Sequence, residues 1–91
     1  MKTLEQLREE ITQTDVALLR LFDQRMRLAS QVAEVKATIG KAVLDPAREE
    51  AVLAHARQHS ENPDAAAELM KTVMRLSRER QHEHARGGAT G

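Results

Sequence analysis

Leu4, Ile11, Leu18, Arg25, Val32 and Ile39 recur every seven residues, and Leu7, Thr14, Leu21, Leu28 and Val35 fill a second series three positions on. Spacing of this kind lays one stripe along a helix. No Gly or Pro interrupts it before Gly40, which reads as a helix stop. The pattern predicts a single helix from residue 4 to about 39, on the order of 50 Å long at about 1.5 Å per residue. The chain has 91 residues, and a compact globule of that size has a radius of gyration of only about 12 Å. The residues after Gly40 cannot wrap such a rod. Its stripe needs another chain, so the sequence predicts a homo-oligomer, most simply a dimer.

Two shorter helices are expected beyond a connection over residues 40–44. Asp45-Pro46 sets an N-cap followed by Pro at the first helical position. The helix it starts carries Val52, Leu53 and Ala56 and runs to about Ser60. Asn62-Pro63 repeats the start signal for a helix carrying Ala66, Leu69, Met70, Val73, Met74 and Leu76, running to about Ala85. No strand pattern and no internal repeat is present. The expected class is all-α, with one long and two shorter helices per chain in an intertwined helical homodimer. The domain is expected over residues 1–86, and Gly87-Gly88-Ala89-Thr90-Gly91 reads as a flexible tail over 87–91.

Composition narrows the function classes. One Phe and no Trp or Tyr leave an aliphatic core. Fourteen basic residues balance fourteen acidic ones, which argues against a nucleic-acid or membrane-surface binder. Without cysteine there is no disulfide framework, thiol chemistry or Cys-based zinc site. No apolar run approaches the ~20 residues of a membrane span. The N-terminal Met1-Lys2-Thr3-Leu4-Glu5 does not resemble a signal peptide. The expected location is the cytoplasm.

The informative residues are polar ones inside apolar patterns. Arg25 sits in the seam series, where a lone Arg is costly unless it meets an anion or snorkels to solvent. Lys36 lies eleven positions on, nearly on the same face and about 16 Å along the axis. Two such cations can converge on an anion between them. Taken alone, Arg25 reads as a register-setting residue and Lys36 as a solvated lysine near a helix C-terminus. Arg8 lies about 26 Å from Arg25 along the helix, so only an antiparallel partner chain could bring an Arg8 to Arg25. Asp45, Arg48 and Glu49 share one turn, with Asp45 capping backbone amides. Ser77 and Gln81, four apart, share a face of the third helix.

This ordered set resembles the all-helical chorismate mutases. The residues that carry the likeness are Leu7-Arg8-Glu9-Glu10-Ile11, Arg25 after Leu21-Phe22-Asp23-Gln24, Lys36, Asp45-Pro46-Ala47-Arg48-Glu49, and Ser77-Arg78-Glu79-Arg80-Gln81. It covers about residues 4–82. The link around Ser60 to Asp64 is short for the family, and Gln81-His82-Glu83-His84 and the glycine-rich tail continue past its pattern.

The resemblance implies the Claisen rearrangement of chorismate to prephenate, a unimolecular reaction that needs no nucleophile, metal or cofactor. Catalysis then rests on holding a dianion in its reactive shape and on electrostatics where charge shifts. By the same resemblance, Arg25 and the partner chain's Arg8 clamp carboxylates, as suits their fork-shaped guanidinium groups. Ser77 hydrogen-bonds a carboxylate, and Arg48 supports that end. Glu49, with the Asp45 backbone N–H, holds the ring hydroxyl. Lys36 and Gln81 donate to the ether oxygen as its C–O bond breaks. The residues implied in catalysis are Arg25, Lys36, Gln81 and Glu49. Those implied in substrate binding are Arg8, Arg25, Lys36, Asp45, Arg48, Glu49, Ser77 and Gln81.

Rival readings stand beside this one. The same clamp would serve a 4-amino-4-deoxychorismate mutase or an isochorismate pyruvate lyase, although the Asp-x-x-Arg-Glu cap favours the mutase over the lyase. The heptad seam alone would serve a non-catalytic dimerisation module, against which Arg25 and Lys36 speak. His55 and His59, four apart, and His82 with His84 have no convincing third ligand and read as surface histidines. The length suggests a free-standing enzyme without a fused domain. Association with a separate synthase is left open.

Overall fold

A computed structural model of the chain describes the backbone of residues 1–90 and the side chains of residues 1–83. Its elements, in order, are α1 (Leu4–Ile39), α2 (Pro46–Gln58) and α3 (Pro63–Thr90). This is the expected all-α class with one long helix.

Local chemistry accounts for the boundaries of α1 and α2. Thr3 caps α1 through a reciprocal box in which its hydroxyl accepts from the Gln6 N–H (3.1 Å) and the Gln6 side chain accepts from the Thr3 N–H (2.9 Å). Gly40 ends α1 in the left-handed region at φ 71°, a conformation that costs glycine nothing. It and Lys41 both return their N–H groups to the Lys36 carbonyl. Asp45 caps α2 by accepting from the Arg48 N–H at 3.1 Å, with Pro46 at the first position. α2 stops at Gln58, slightly before the expected Ser60. The His59 N–H is shared between the His55 and Ala56 carbonyls, which tightens the last turn, and the Ser60 hydroxyl accepts from the Asn62 N–H to open the link. α3 begins at Pro63 as expected and extends to Thr90, past the expected end near Ala85. The expected flexible tail over 87–91 lies outside the residues whose side chains are described, and Gly91 lies outside the described residues altogether.

α3 packs against both other helices. Arg25 and Ser30 of α1 meet Ser77 and Arg80 of α3 in that order, so α1 and α3 run in the same sense. Glu49 and Arg57 of α2 meet Arg78 and Asp64, so α2 runs the opposite way. Among the described residues the backbones of α1 and α2 do not approach each other. The gap between them is where the site lies.

The molecule measures 56 × 30 × 14 Å, with a radius of gyration of 16.6 Å. Its thinnest dimension barely exceeds the diameter of one helix with its side chains, about 10–12 Å. The helices therefore form a single layer. Buried apolar residues among those described are Ala29 and Ala33 of α1 and Ala67 and Met74 of α3. The apolar residues of the heptad stripe are exposed within the single chain, with Leu18 52% and Leu21 63% exposed. The face of α1 that packs within the chain shares Arg25 with that stripe, borders it at Leu28 and Val32, and is otherwise built on small residues at i and i+4.

Candidate active site

Arg25 stands on the α1 face that meets α3. Its Nη1 donates to the Ser77 hydroxyl at 2.7 Å. Ser77 is buried, and its Oγ lies 2.8 Å from the Val73 carbonyl one turn back. A hydroxyl has one proton. The Val73 carbonyl is its nearer acceptor, with Met26 Sδ at 3.7 Å the other, and either choice leaves the oxygen lone pairs to receive Arg25. Among the described residues no carboxylate pairs with Arg25. Burial, and then the nearby charge of Arg48, hold the Arg25 pKa below the ordinary arginine value.

A cavity of about 370 Å³ opens beside this pair. Lys36 lines it from the last turn of α1, and its ammonium donates to the Val43 carbonyl in the α1–α2 connection at 2.7 Å. Two of its three N–H bonds remain for a ligand. Asp45, Arg48 and Glu49 line the cavity from the start of α2, and Val32, Val52 and Met74 give it an apolar wall. Gln81 closes it from α3. Gln81 is buried, its Oε1 has no hydrogen-bond partner, and its Nε2 makes no hydrogen bond to the protein. The cavity thus offers unpaired guanidinium and ammonium groups and a free amide donor around an apolar wall. That arrangement suits a small organic anion.

Comparison with known proteins decides the family. The model of the family described as chorismate mutase type II matches residues 7–82. The chain belongs to the type II chorismate mutases. It is 39% identical over 75 residues to the T-protein of Haemophilus influenzae, which is 82% of this chain and 20% of that protein. It is 37% identical over 75 residues to the T-protein of Enterobacter agglomerans, which is 78% of this chain and 20% of that protein. The chain therefore spans about a fifth of the length of these curated relatives. No solved structure gives a significant match.

Of the residues this type II mutase chain was expected to use, the structure brings Arg25, Lys36, Asp45, Arg48, Glu49, Ser77 and Gln81 to one cavity. Arg8 is not among them. It lies in the first turns of α1, exposed, and does not line its own chain's cavity. Among the charged lining residues, one was missed. Arg78 lines the cavity and forms an ion pair with Glu49, Nη1 to Oε2. In sequence it is one of the intervening positions of Ser77-Arg78-Glu79-Arg80-Gln81. The available signal was its place beside Ser77 and three before Gln81, on the same side of α3.

The expected surface histidines His55, in α2, and His59, at its C-cap, lie against each other with tilted rings, centroids 4.0 Å apart, and the His59 Nδ1 donates to the His55 carbonyl at 2.9 Å. His82 is exposed, while the His84 side chain lies outside those described. No helix among the described residues is long and apolar enough to cross a membrane.

Proposed function

We propose that the chain catalyses the rearrangement of chorismate to prephenate in the cavity between α1, α2 and α3. The observation that carries this reading is the Arg25 guanidinium, partly desolvated, without a carboxylate partner among the described residues, and lining the same cavity as Gln81, whose amide nitrogen makes no hydrogen bond among those residues. A partly buried cation without a carboxylate partner carries some desolvation cost, and an anionic substrate relieves it.

Each group then has a task. Arg25, held by Ser77, grips one carboxylate with its remaining N–H groups. Arg48 supports the same end. Lys36 and the Gln81 Nε2 donate to the ether oxygen, where negative charge grows as the C–O bond breaks. Removal of one such donor typically costs about 10²–10³ in rate. Glu49 Oε1 accepts from the ring hydroxyl, beside the Asp45 backbone N–H. Ser77 braces Arg25 from its own hydroxyl oxygen and lies beside the carboxylate it is expected to hydrogen-bond.

The reading includes an intertwined homodimer located in the cytoplasm. A single layer of helices has no second layer to close its core. Leu4, Leu7, Ile11, Leu18, Leu21, Leu28, Val32, Val35 and Ile39 are all more than 40% exposed. A second copy laid along α1 covers that stripe and carries its Arg8 to the first chain's Arg25. A separate synthase, if it is a partner, would reveal itself as a rise in turnover on mixing.

The test is a direct assay with chorismate, following its loss and identifying the product. Prephenate formation that disappears in Arg25→Ala and Gln81→Ala supports the reading. Intact chorismate overturns it and turns attention to the amino analogue, to isochorismate, or to a non-catalytic dimerisation module.

A further inference from the structure

Glu49 does not face the cavity as a free carboxylate. Its Oε2 is taken by Arg78 Nη1, and its Oε1 has no hydrogen bond from the protein. Both partners are partly shielded from water, with side-chain exposures of 26% for Glu49 and 31% for Arg78. The pair joins the first turn of α2 to α3 across the cavity wall.

This changes what Glu49 can recognise. A lone carboxylate among partly desolvated groups attracts an ammonium more strongly than a hydroxyl. A carboxylate already neutralised by a guanidinium loses that preference and keeps a lone pair for a hydroxyl proton. The surroundings push the same way. The cavity is lined by the cations Arg25, Lys36, Arg48 and Arg78 and the carboxylates Asp45 and Glu49, and Arg78 supplies one unit of its positive excess. A ring bearing a hydroxyl and one bearing an ammonium differ by that same single charge. From this pairing we infer that Arg78 is a specificity-determining residue: acting through Glu49, it selects a hydroxyl over an ammonium substituent on the substrate ring. The inference rests on the proposed rearrangement in this cavity and adds the residue that chooses between its two nearest substrates.

Arg78 touches Glu49 rather than the breaking bond, so it is a positioning residue. Its effect falls on ground-state and transition-state binding alike and belongs in KM more than in kcat. The experiment compares kcat/KM for chorismate and for 4-amino-4-deoxychorismate in the wild-type protein, Arg78→Met and Arg78→Lys. The ratio of the two substrates in one preparation is independent of the folded fraction. In Arg78→Met the ratio should move about tenfold toward the amino substrate, chiefly through KM, as expected for one partly screened charge nearby. In Arg78→Lys, which keeps the charge, it should stay within about threefold of wild type. A ratio unmoved in Arg78→Met overturns the inference while wild-type prephenate formation leaves the parent reading standing. An equal shift in Arg78→Lys also overturns it, because charge would then not be the cause. A wild-type protein that turns over neither substrate overturns both.

Discussion

Arg25 and Ser77, 52 positions apart, meet at 2.7 Å with the serine as acceptor. The direction of that bond matters. Because the Ser77 proton has its nearer acceptor in the Val73 carbonyl, the serine presents lone pairs to the guanidinium and fixes the plane of its fork. The remaining N–H groups of Arg25 are thereby aimed before any substrate arrives. Pre-orientation of this kind is worth a substantial part of a barrier in a reaction that has no covalent help from the enzyme.

Ser77→Ala should therefore lower kcat/KM for chorismate by about 10- to 100-fold, the size of losing one hydrogen bond to a charged group together with some misorientation. The helix should remain, since alanine is a better helix former than serine. Steady-state kinetics beside far-UV circular dichroism separates the two effects. Full activity in this variant would remove the brace from the mechanism.

Arg25→Met should trade function for stability. Burial and the neighbouring Arg48 disfavour the charged form of Arg25 in the folded state. That cost is present wherever the unfolded arginine is protonated, which is the whole ordinary pH range. A neutral side chain of similar reach removes it, and because solvent screens much of that cost Tm should rise only slightly, by about 1 °C, while prephenate formation falls at least about 100-fold. Thermal melts with and without a dicarboxylate ligand provide the check. The ligand should raise the wild-type Tm only. A lower Tm in the variant would mean that Arg25 stabilises the fold.

The pH profile should be flat through neutrality. The Gln81 amide donates at any pH, and Arg25 stays charged through neutrality despite its lowered pKa. In Gln81→Glu the introduced carboxyl donates only when protonated, and once ionised it faces the oxygen that gains negative charge. Its kcat/KM should fall about tenfold per unit as pH rises above the new group's pKa. Acid-limited activity in the wild-type protein, or a flat profile in the variant, would place the ether-oxygen donor elsewhere.

Arg8 and Arg25 can be tested as groups from different chains. Arg8→Ala and Arg25→Ala should each be nearly inactive. Mixed and exchanged, they form heterodimers in which one site has both arginines and the other has neither. Statistical mixing should restore about a quarter of the wild-type activity. Failure to recover, in a mixture shown by mass spectrometry to contain heterodimers, would mean that the two arginines do not share a site.

Much of the fold was legible because its signals are local. Gly40, Asp45-Pro46 and Asn62-Pro63 mark helix ends through their own backbone preferences, and no distant contact is needed to read them. The apolar seam was legible as well, but it describes the surface α1 leaves exposed. Ala29 and Ala33, which meet α3, carry little hydrophobic weight and vanish inside any periodicity argument. The site was legible only as an ordered set, since Lys36 or Ser77 alone is unremarkable. Arg78 stayed hidden because its meaning lies in Glu49, 29 positions away, and no spacing rule connects α2 with α3 across a link. Where the Ser77 proton points depends on the Val73 carbonyl, and sequence does not reveal how a rotor is set.

The alanines of α1 act as a ruler. Ala29 and Ala33 are the buried residues of α1, and Ala29 also lines the cavity. Axes of packed helices stand about 8–10 Å apart, a distance set by the side chains between them. At the alanine positions that spacer is a single methyl group, and the Arg25–Ser77 hydrogen bond is cut to the resulting width. Larger residues there would hold the two helices farther apart without replacing Arg25 or Ser77, and the guanidinium would lose its anchor. The selectivity of the pocket is thus written partly in methyl groups, at positions where nothing but size is at stake.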